Sequence, residues 1–305
     1  MSNLLISICI PAYNAAVFLE ETLQSVKNQT YLNWELIVIE DGTDDGTSLI
    51  VKEFEKTVSQ VVIYQKNSVN KGPSATRNIA VSKSTGHWLA FIDSDDIWHP
   101  NHLQSLIDTV EENPNCDFIH SGFNLFYEEF DNPFYQQKLS ENVLNTFPIS
   151  LYTREYWIQP SSVMVSQKLY DTVNGFNENY RYTEDLDFFF RSCQKGFKFA
   201  FSSKNTCHYR KNIEGLTSHT LEMAFYSAEV YTDTLDWHDI PKKLRLKKTA
   251  QLWLSTARLA RNSNPLLAKT AIKNAIKYQF NLHTLAFLFL IYIKMPFTVK
   301  NLNKE

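Results

Sequence analysis

The chain has 305 residues, 44% hydrophobic and 14% aromatic, with a formal net charge of −3. That composition supports a sizeable core in one large domain or a domain with an appendage, and excludes a largely disordered chain. Cys9, Cys116, Cys193 and Cys207 form no CxxC pair or zinc-type spacing, which argues against a zinc ribbon or disulfide framework and for reduced thiols in a cytoplasmic protein.

The start, "MSNLLISICIPAYN", lacks the basic n-region and cleavage pattern of a secretory signal. Leu4–Ala12 is a short, Ile-rich apolar run that predicts a buried parallel strand. Phe18, Leu19, Thr22, Leu23 and Val26 follow at helical spacing. "WELIVIED" predicts a second strand, "TSLIVKEFEK" a helix, "VVIYQK" a third strand, "SATRNIAVSKS" a helix and "HWLAFIDSDD" a fourth strand. Such alternation implies right-handed βαβ units in an open parallel sheet. From about residue 115 to 215 the pattern is mixed. "CDFIHSGFNLFYEEF" reads as strand with a hairpin, "TEDLDFFFRSCQKG" as a helix with acids in its first turn and Gly196 past its end, and "FKFAFSS" as another strand. Beyond about 216 the chain reads as helical, punctuated by Pro241, Pro265 and Pro296.

Only eight glycines are present, so Gly42, Gly46, Gly72, Gly86 and Gly175 are each candidates for special backbone geometry. Neither a G-x-G-x-x-G after the first strand nor a Walker A loop occurs. Polar clusters do sit at the expected carboxyl ends of strands: "PAYN", "EDGTDDGT" and "DSDD". Asp93–Ser94–Asp95 puts two carboxylates on one turn, where they could share a hard cation such as Mg²⁺ or Mn²⁺. A solvated turn or a helix N-cap accounts equally for an isolated D-x-D. An EF-hand is excluded by Trp98 and Gln104 at the sixth and twelfth loop positions. Asp41 can accept from a base imide, with Asp44 or Asp45 capping the next helix. Arg77, one turn into its helix, could pair with Asp41 or Asp93 or steady a diphosphate. Glu184 and Asp185 at a helix start are kept ionised by the dipole; they either cap or take a proton.

In order and spacing, these motifs across residues 6 to about 212 resemble those of family-2 inverting glycosyltransferases. The resemblance implies a GT-A fold: a Rossmann-like, mostly parallel sheet with helices on both faces, here with a helical C-terminal extension. It also implies a nucleotide-sugar donor, UDP by preference, and a divalent metal, Mn²⁺ or Mg²⁺. By motif, Pro11, Ala12 and Tyr13 would line the nucleotide pocket, Asp41 would bind uracil, and Arg77 would sit near the base and metal. Asp93 would face the ribose or sugar, with Ser94 between it and the metal ligand Asp95. Asp185 would be the general base, supported by Glu184. "HYRKN" resembles the family's tyrosine–arginine element, which makes His208 and Arg210 candidates for phosphate or metal contact, although Asn212 stands where the family often has His. The implied function is sugar transfer to a glycan or lipid-linked glycan in bacterial cell-surface polysaccharide biosynthesis.

Two other classes fit the motifs less well. Haloacid-dehalogenase-type phosphoesterases want Thr or Val two residues after the second Asp, where Ile97 stands, and leave the other motifs unexplained. A glycan-binding or scaffolding protein without turnover would not need Asp93, Asp95 and Asp185 together. The expected division is a catalytic domain over 1–215 and a basic helical region over 216–305. Residues 241–305 carry thirteen Lys or Arg against one acid, while the remainder is acidic. That asymmetry fits an anionic membrane surface at the inner face of the cell membrane better than nucleic acid, which the acidic body would repel. The apolar run Leu285–Ile293 is too short to span a bilayer.

Overall fold

The computed structural model describes residues 4–212, 215, 218–280, 285 and 288. The chain divides into two compact units, Met1–Gly215 and Leu216–Glu305.

The first unit is built on a nine-stranded sheet. Strands β1 (Ile6–Ala12), β2 (Trp34–Asp41), β3 (Val62–Asn67) and β4 (Trp88–Phe91) form its parallel part, in the order β3-β2-β1-β4. Every residue of β2 and β4 is buried, which is why both read as continuous apolar runs rather than alternating ones. One face packs on α1 (Leu19–Lys27), α2 (Thr47–Glu55) and α4 (His102–Glu112) through Ile6, Ile8, Ile10, Leu36 and Val38. The other face meets α3 (Pro73–Val81), α7 (Gln167–Val173) and α8 (Glu184–Gln194), with Phe91 edge-on to Phe176 and Phe118 edge-on to Phe189. Burying side chains of this size stabilises by roughly 1.5–3 kcal/mol each.

Beyond β4 the sheet turns mixed. Strand β8 (Val163–Ser166) runs antiparallel to both β4 and β6 (Phe118–Phe126). Strand β9 (Phe199–Arg210) runs parallel to β6 and antiparallel to the two-residue β5 (Ile97–Trp98). The short β7 (Tyr135–Gln136) closes a hairpin on β6. The parallel part therefore ends at β4, and the mixed pattern expected from about residue 115 corresponds to these antiparallel pairs. The strand expected at "FKFAFSS" extends to Arg210, so the "HYR" segment is paired sheet rather than loop.

Helix α8 keeps the polarity its sequence implies: Glu184, Asp185 and Asp187 occupy the first turn, and Gly196 takes φ +78° beyond the end. The remaining helices of this unit are α5 (Glu141–Thr146) and α6 (Ile149–Thr153). The second unit contains α9 (Thr220–Asp233), α10 (Lys242–Ser263) and α11 (Pro265–Tyr278), packed through Ala228, Trp253, Ala257, Ala260, Ala271 and Ile272. Small residues on facing helices allow that close approach. Among the described residues no helix is long and apolar enough to cross a membrane. Most of the run Leu285–Ile293 lies outside the described residues.

Candidate active site

The polar clusters at the ends of β1, β2 and β4 are tied to one another by side chains. Pro11 and Ala12 are still paired with β2, opposite Ile39 and Glu40, and Tyr13 leaves the sheet with its ring 55% exposed. After β2, Asp41 is buried, and its carboxylate accepts from Asn67 Nδ2 (2.9 Å), Lys71 N (2.8 Å) and Gly72 N (2.8 Å). Asp41 thus clasps the loop from β3 to α3. Gly42 makes that clasp possible: at φ +75°, an added Cβ would lie 2.4 Å from Asn70 N. Of the two candidate caps, Asp45 receives Thr47 N (3.2 Å) and also Ala16 N (2.9 Å), whereas Asp44 pairs with Lys66.

The turn after β4 carries Asp93, Ser94, Asp95 and Asp96. Asp96 is fully buried and is an anchor, accepting from Arg210 N (2.8 Å) and from Ser161 Oγ. Ser161 Oγ in turn accepts from Asp93 N (2.9 Å), and its carbonyl takes the Trp98 indole N–H (2.6 Å). Ser94 O accepts from Thr22 Oγ1 at 3.0 Å. These bonds hold the backbone of the turn, while the side chains of Asp93, Ser94 and Asp95 stay partly exposed.

Arg77 is the electrostatic hub. It is 3% exposed, and it donates from Nη1 to Glu184 Oε1 and from Nη2 to Asp93 Oδ1, both at 2.6 Å. One guanidinium therefore joins the D-x-D turn to the start of α8. Of the two partners foreseen for Arg77, the structure supplies Asp93. Burial pushes the Glu184 carboxyl up to about 7, against the opposing pull of Arg77. Burial also raises Asp185, while the Leu186 N–H, Arg77 and Arg154 draw it back. The residue before this pair, Thr183, is held at φ +58°, a conformation a β-branched side chain rarely adopts.

The donor set suits a hard divalent cation. Burial and the neighbouring Asp93 charge push Asp95 up to about 6, the signature of carboxylates crowded without enough positive charge. Among the described residues no three metal-ligating side chains converge, so a cation held by Asp93 and Asp95 would be completed by phosphate oxygens and water. His208 is not gathered into that set. It pairs opposite Ile97, and its ring is edge-on to Phe126 and Phe130. Arg210 is committed to structure: its guanidinium lies between the rings of Phe18 (4.6 Å) and Phe126 (4.5 Å), bonds Asp95 O (2.9 Å) and pairs with Glu21.

Sequence reasoning missed Ser161, Asp96, Glu21 and Phe18, whose partners lie far away in the chain. It also missed Glu40, buried inside β2 with Tyr64 Oη at 2.5 Å. A separate cavity of about 830 Å³ is lined by Asn78, Tyr170, Asp171, Asn174, Glu178 and Arg191 and includes none of the strand-end acids.

Comparison with known proteins gives the family and the fold. WfgD of Escherichia coli, a UDP-Glc:α-D-GlcNAc-diphosphoundecaprenol β-1,3-glucosyltransferase, is 36% identical over 125 residues, 41% of this chain and 48% of its own. The chain thus spans about half the length of that relative. The structure of Staphylococcus aureus TarS 1–349 with UDP-GlcNAc superposes with a TM-score of 0.67 at 16% identity, covering 95% of this chain and 87% of that one. The Pyrobaculum calidifontis mannosyltransferase PcManGT, solved with GDP-Man and Mn²⁺, gives 0.61 at 16% identity over 95% and 79%. At those identities the two structures establish the fold, which is the GT-A type. Glycosyl transferase family 2 matches residues 7–173, more than half of the sequence and every strand of the parallel sheet, and it is to this family that the chain belongs.

Proposed function

We propose that the chain is an inverting transferase that moves a sugar from a nucleoside-diphosphate donor, UDP-linked, to a hydroxyl of a glycan or lipid-linked glycan in cell-surface polysaccharide synthesis. The observation that carries this reading is the Arg77 bridge, which sets Asp93 and the Glu184–Asp185 pair on either side of one guanidinium. The UDP-GlcNAc complex of TarS and the lipid-linked acceptor of WfgD support the donor and acceptor classes.

In this reading Tyr13 stacks on the base, and Asp41 shapes the base pocket by holding the loop at residues 67–72; its direct contact with uracil uses the lone pairs its three donors leave. Asp93 and Asp95 would hold Mn²⁺ or Mg²⁺, which as a Lewis acid supplies charge neutralisation at the leaving diphosphate. The acceptor hydroxyl attacks the anomeric carbon from the face opposite the diphosphate. Its oxygen–carbon bond forms as the carbon–oxygen bond to phosphate breaks, and its proton passes to the Asp185 carboxylate. A single displacement turns an α-linked donor into a β-linked product. Arg77 keeps Glu184 paired, so the charge of that residue does not push Asp185 out of its ionised form.

The test pairs donor binding with transfer. A screen of nucleotide sugars with Mn²⁺ should raise the melting temperature of the wild-type protein with UDP-sugars above others. Asp185→Asn should keep that shift and lose transfer by about 10²–10⁴-fold. Equal transfer rates in the two proteins would remove the base assignment, and no shift with any nucleotide sugar would remove the donor.

The same proposal rests the helical unit on an anionic membrane surface. Its support is the exposed Lys242, Lys243 and Lys247 of α10 and the exposed Leu259, Leu266 and Phe280. Each basic residue near such a surface contributes about 1 kcal/mol. Replacing the three lysines by Glu in the full chain should abolish co-sedimentation with phosphatidylglycerol vesicles; undiminished binding would refute the contact.

A further inference from the structure

The segment from Arg154 to Ser162 links the two halves of the candidate site. Its end brackets the D-x-D turn through Ser161, and the positive charge of Arg154 acts on Asp185. Between them stands Trp157, 37% exposed although an indole is costly to leave in water. Its ring is edge-on to buried Phe123 (5.3 Å, 73°) and to Tyr135 (6.2 Å, 69°), itself 39% exposed. The backbone beneath it is fixed, because Gln137 Nε2 donates to Trp157 O at 2.6 Å.

Tyr156 and Gln137, one and two positions along the chain from these aromatics, line a cavity of about 370 Å³ together with Gly122, Lys138, Ser203 and Asn205. Its floor is rigid and polar. Asn205 fills the space over Gly122, where a Cβ would meet Asn205 Oδ1 at 1.8 Å, and donates to Asn124 Oδ1 (3.0 Å) and Gln137 O (2.9 Å). Tyr156 Oη lies 2.8 Å from His120 Nε2, and His120 Nδ1 lies 2.8 Å from Ser162 Oγ. The cavity wall is thereby connected to the same turn that carries Ser161.

We propose that Trp157 and Tyr135, with the polar cavity that Tyr156 and Gln137 line, form a subsite for a pyranose unit of the acceptor. The proposal deepens the transferase reading and rests on it. A pyranose has an apolar face of C–H groups and a rim of hydroxyls. Flat, half-exposed aromatic rings match the first, and the exposed Lys138 and Ser203 at the cavity match the second. An exposed aromatic on an edge hairpin, as Tyr135 is on β7, is otherwise a liability, since edges are usually blunted with charge. Position agrees: Ser161 is four positions after Trp157, a reach of at most about 14 Å, within the length of a short oligosaccharide.

The probes are methyl glycosides of hexoses, N-acetylhexosamines and hexuronic acids with their β-linked disaccharides, observed by saturation-transfer NMR in the presence of UDP and diamagnetic Mg²⁺. Saturation of the C–H protons of one sugar face is expected in the wild-type protein. Trp157→Ala should weaken that binding by about tenfold, and Trp157→Phe should restore most of it. The thermal shift of each variant with UDP reports whether its donor side is folded. Unchanged saturation in Trp157→Ala overturns the subsite. So does absence of signal from every probe in a wild-type protein that binds UDP. Loss of UDP binding in the wild type would instead sink the transferase reading while leaving any sugar signal attributable to Trp157.

Discussion

Arg77 Nη1 lies 2.6 Å from Glu184 Oε1, a carboxylate 107 residues later in the chain. The same guanidinium holds Asp93, so a residue on α3 fixes the spacing between the turn after β4 and the start of α8. Neither acid can move without uncovering a buried charge, and this makes the bridge both a structural clamp and the reference frame of the site.

Removing the clamp should be expensive. Arg77→Ala leaves a buried carboxylate unpaired, which typically costs about 3–5 kcal/mol. For a unit of this size that corresponds to a melting temperature lower by about 10 °C. Arg77→Lys keeps the charge but cannot span two carboxylates from one planar fork, so it should fall between. Calorimetry on both variants checks this, and an unchanged Arg77→Ala melting point would mean the bridge contributes nothing.

The parallel half of the sheet was legible because β1, β2 and β4 bury both faces and read as unbroken apolar runs. The same logic put Asp41, Asp93 and Asp95 at strand ends on one rim, whereas Glu184 and Asp185 were marked by acids at a helix start. What was not legible depends on distant partners. Ser161 meets Asp96 across 65 positions, and Arg210 meets Glu21 across 189, with no local pattern to mark either. Glu35 is another example: a carboxylate inside β2, 4% exposed, it is stabilised by Ser7 Oγ (2.6 Å) and Thr85 N (2.5 Å). Strand β8 escaped notice because only four residues of it pair, and the antiparallel turn of the sheet depends on it.

A second prediction concerns pH. The proposed base Asp185 must be ionised, and Arg154 is one of the charges that draws its raised carboxyl down. Arg154→Ala should therefore raise that carboxyl further. Activity is lost as pH falls through the value for the Glu184–Asp185 pair, so the acid limb of kcat/KM should move to higher pH. Arg154→Lys should leave the limb in place. Arg154 has φ +61°, so Arg154→Gly should show the same limb as Arg154→Ala but be more stable by about 1 kcal/mol. An unmoved limb in both neutral variants would separate Arg154 from the base.

A third prediction tests the bracket on the D-x-D turn. Ser161→Ala removes the acceptor of Asp93 N and a donor to buried Asp96, so about 1–3 kcal/mol of stability should be lost. Because Asp93 and Asp95 share that backbone, Mn²⁺-dependent UDP binding should weaken while metal-independent UDP binding changes little. Titration calorimetry with and without Mn²⁺ separates the two. A uniform loss in both would make Ser161 a general stability residue with no specific hold on the turn.

The last prediction concerns the clasp at Asp41. Gly42 combines a positive φ with backbone so close that an added Cβ would lie 2.4 Å from Asn70 N and 2.5 Å from Val69 C. Those atoms are main chain and cannot rotate aside, so Gly42→Ala must displace the loop that Asp41 holds through Lys71 N and Gly72 N. The conformational penalty alone is about 1–2 kcal/mol. The displaced loop leads directly into Gly72 and the first turn of α3, which carries Arg77. UDP affinity should therefore fall together with the melting temperature. Gly46→Ala is the control: its φ is also positive, +98°, but nothing lies within 4 Å of its added Cβ. It should cost stability and leave UDP affinity near wild type. If both variants bind UDP equally well, the clasp at Asp41 is not part of the nucleotide pocket.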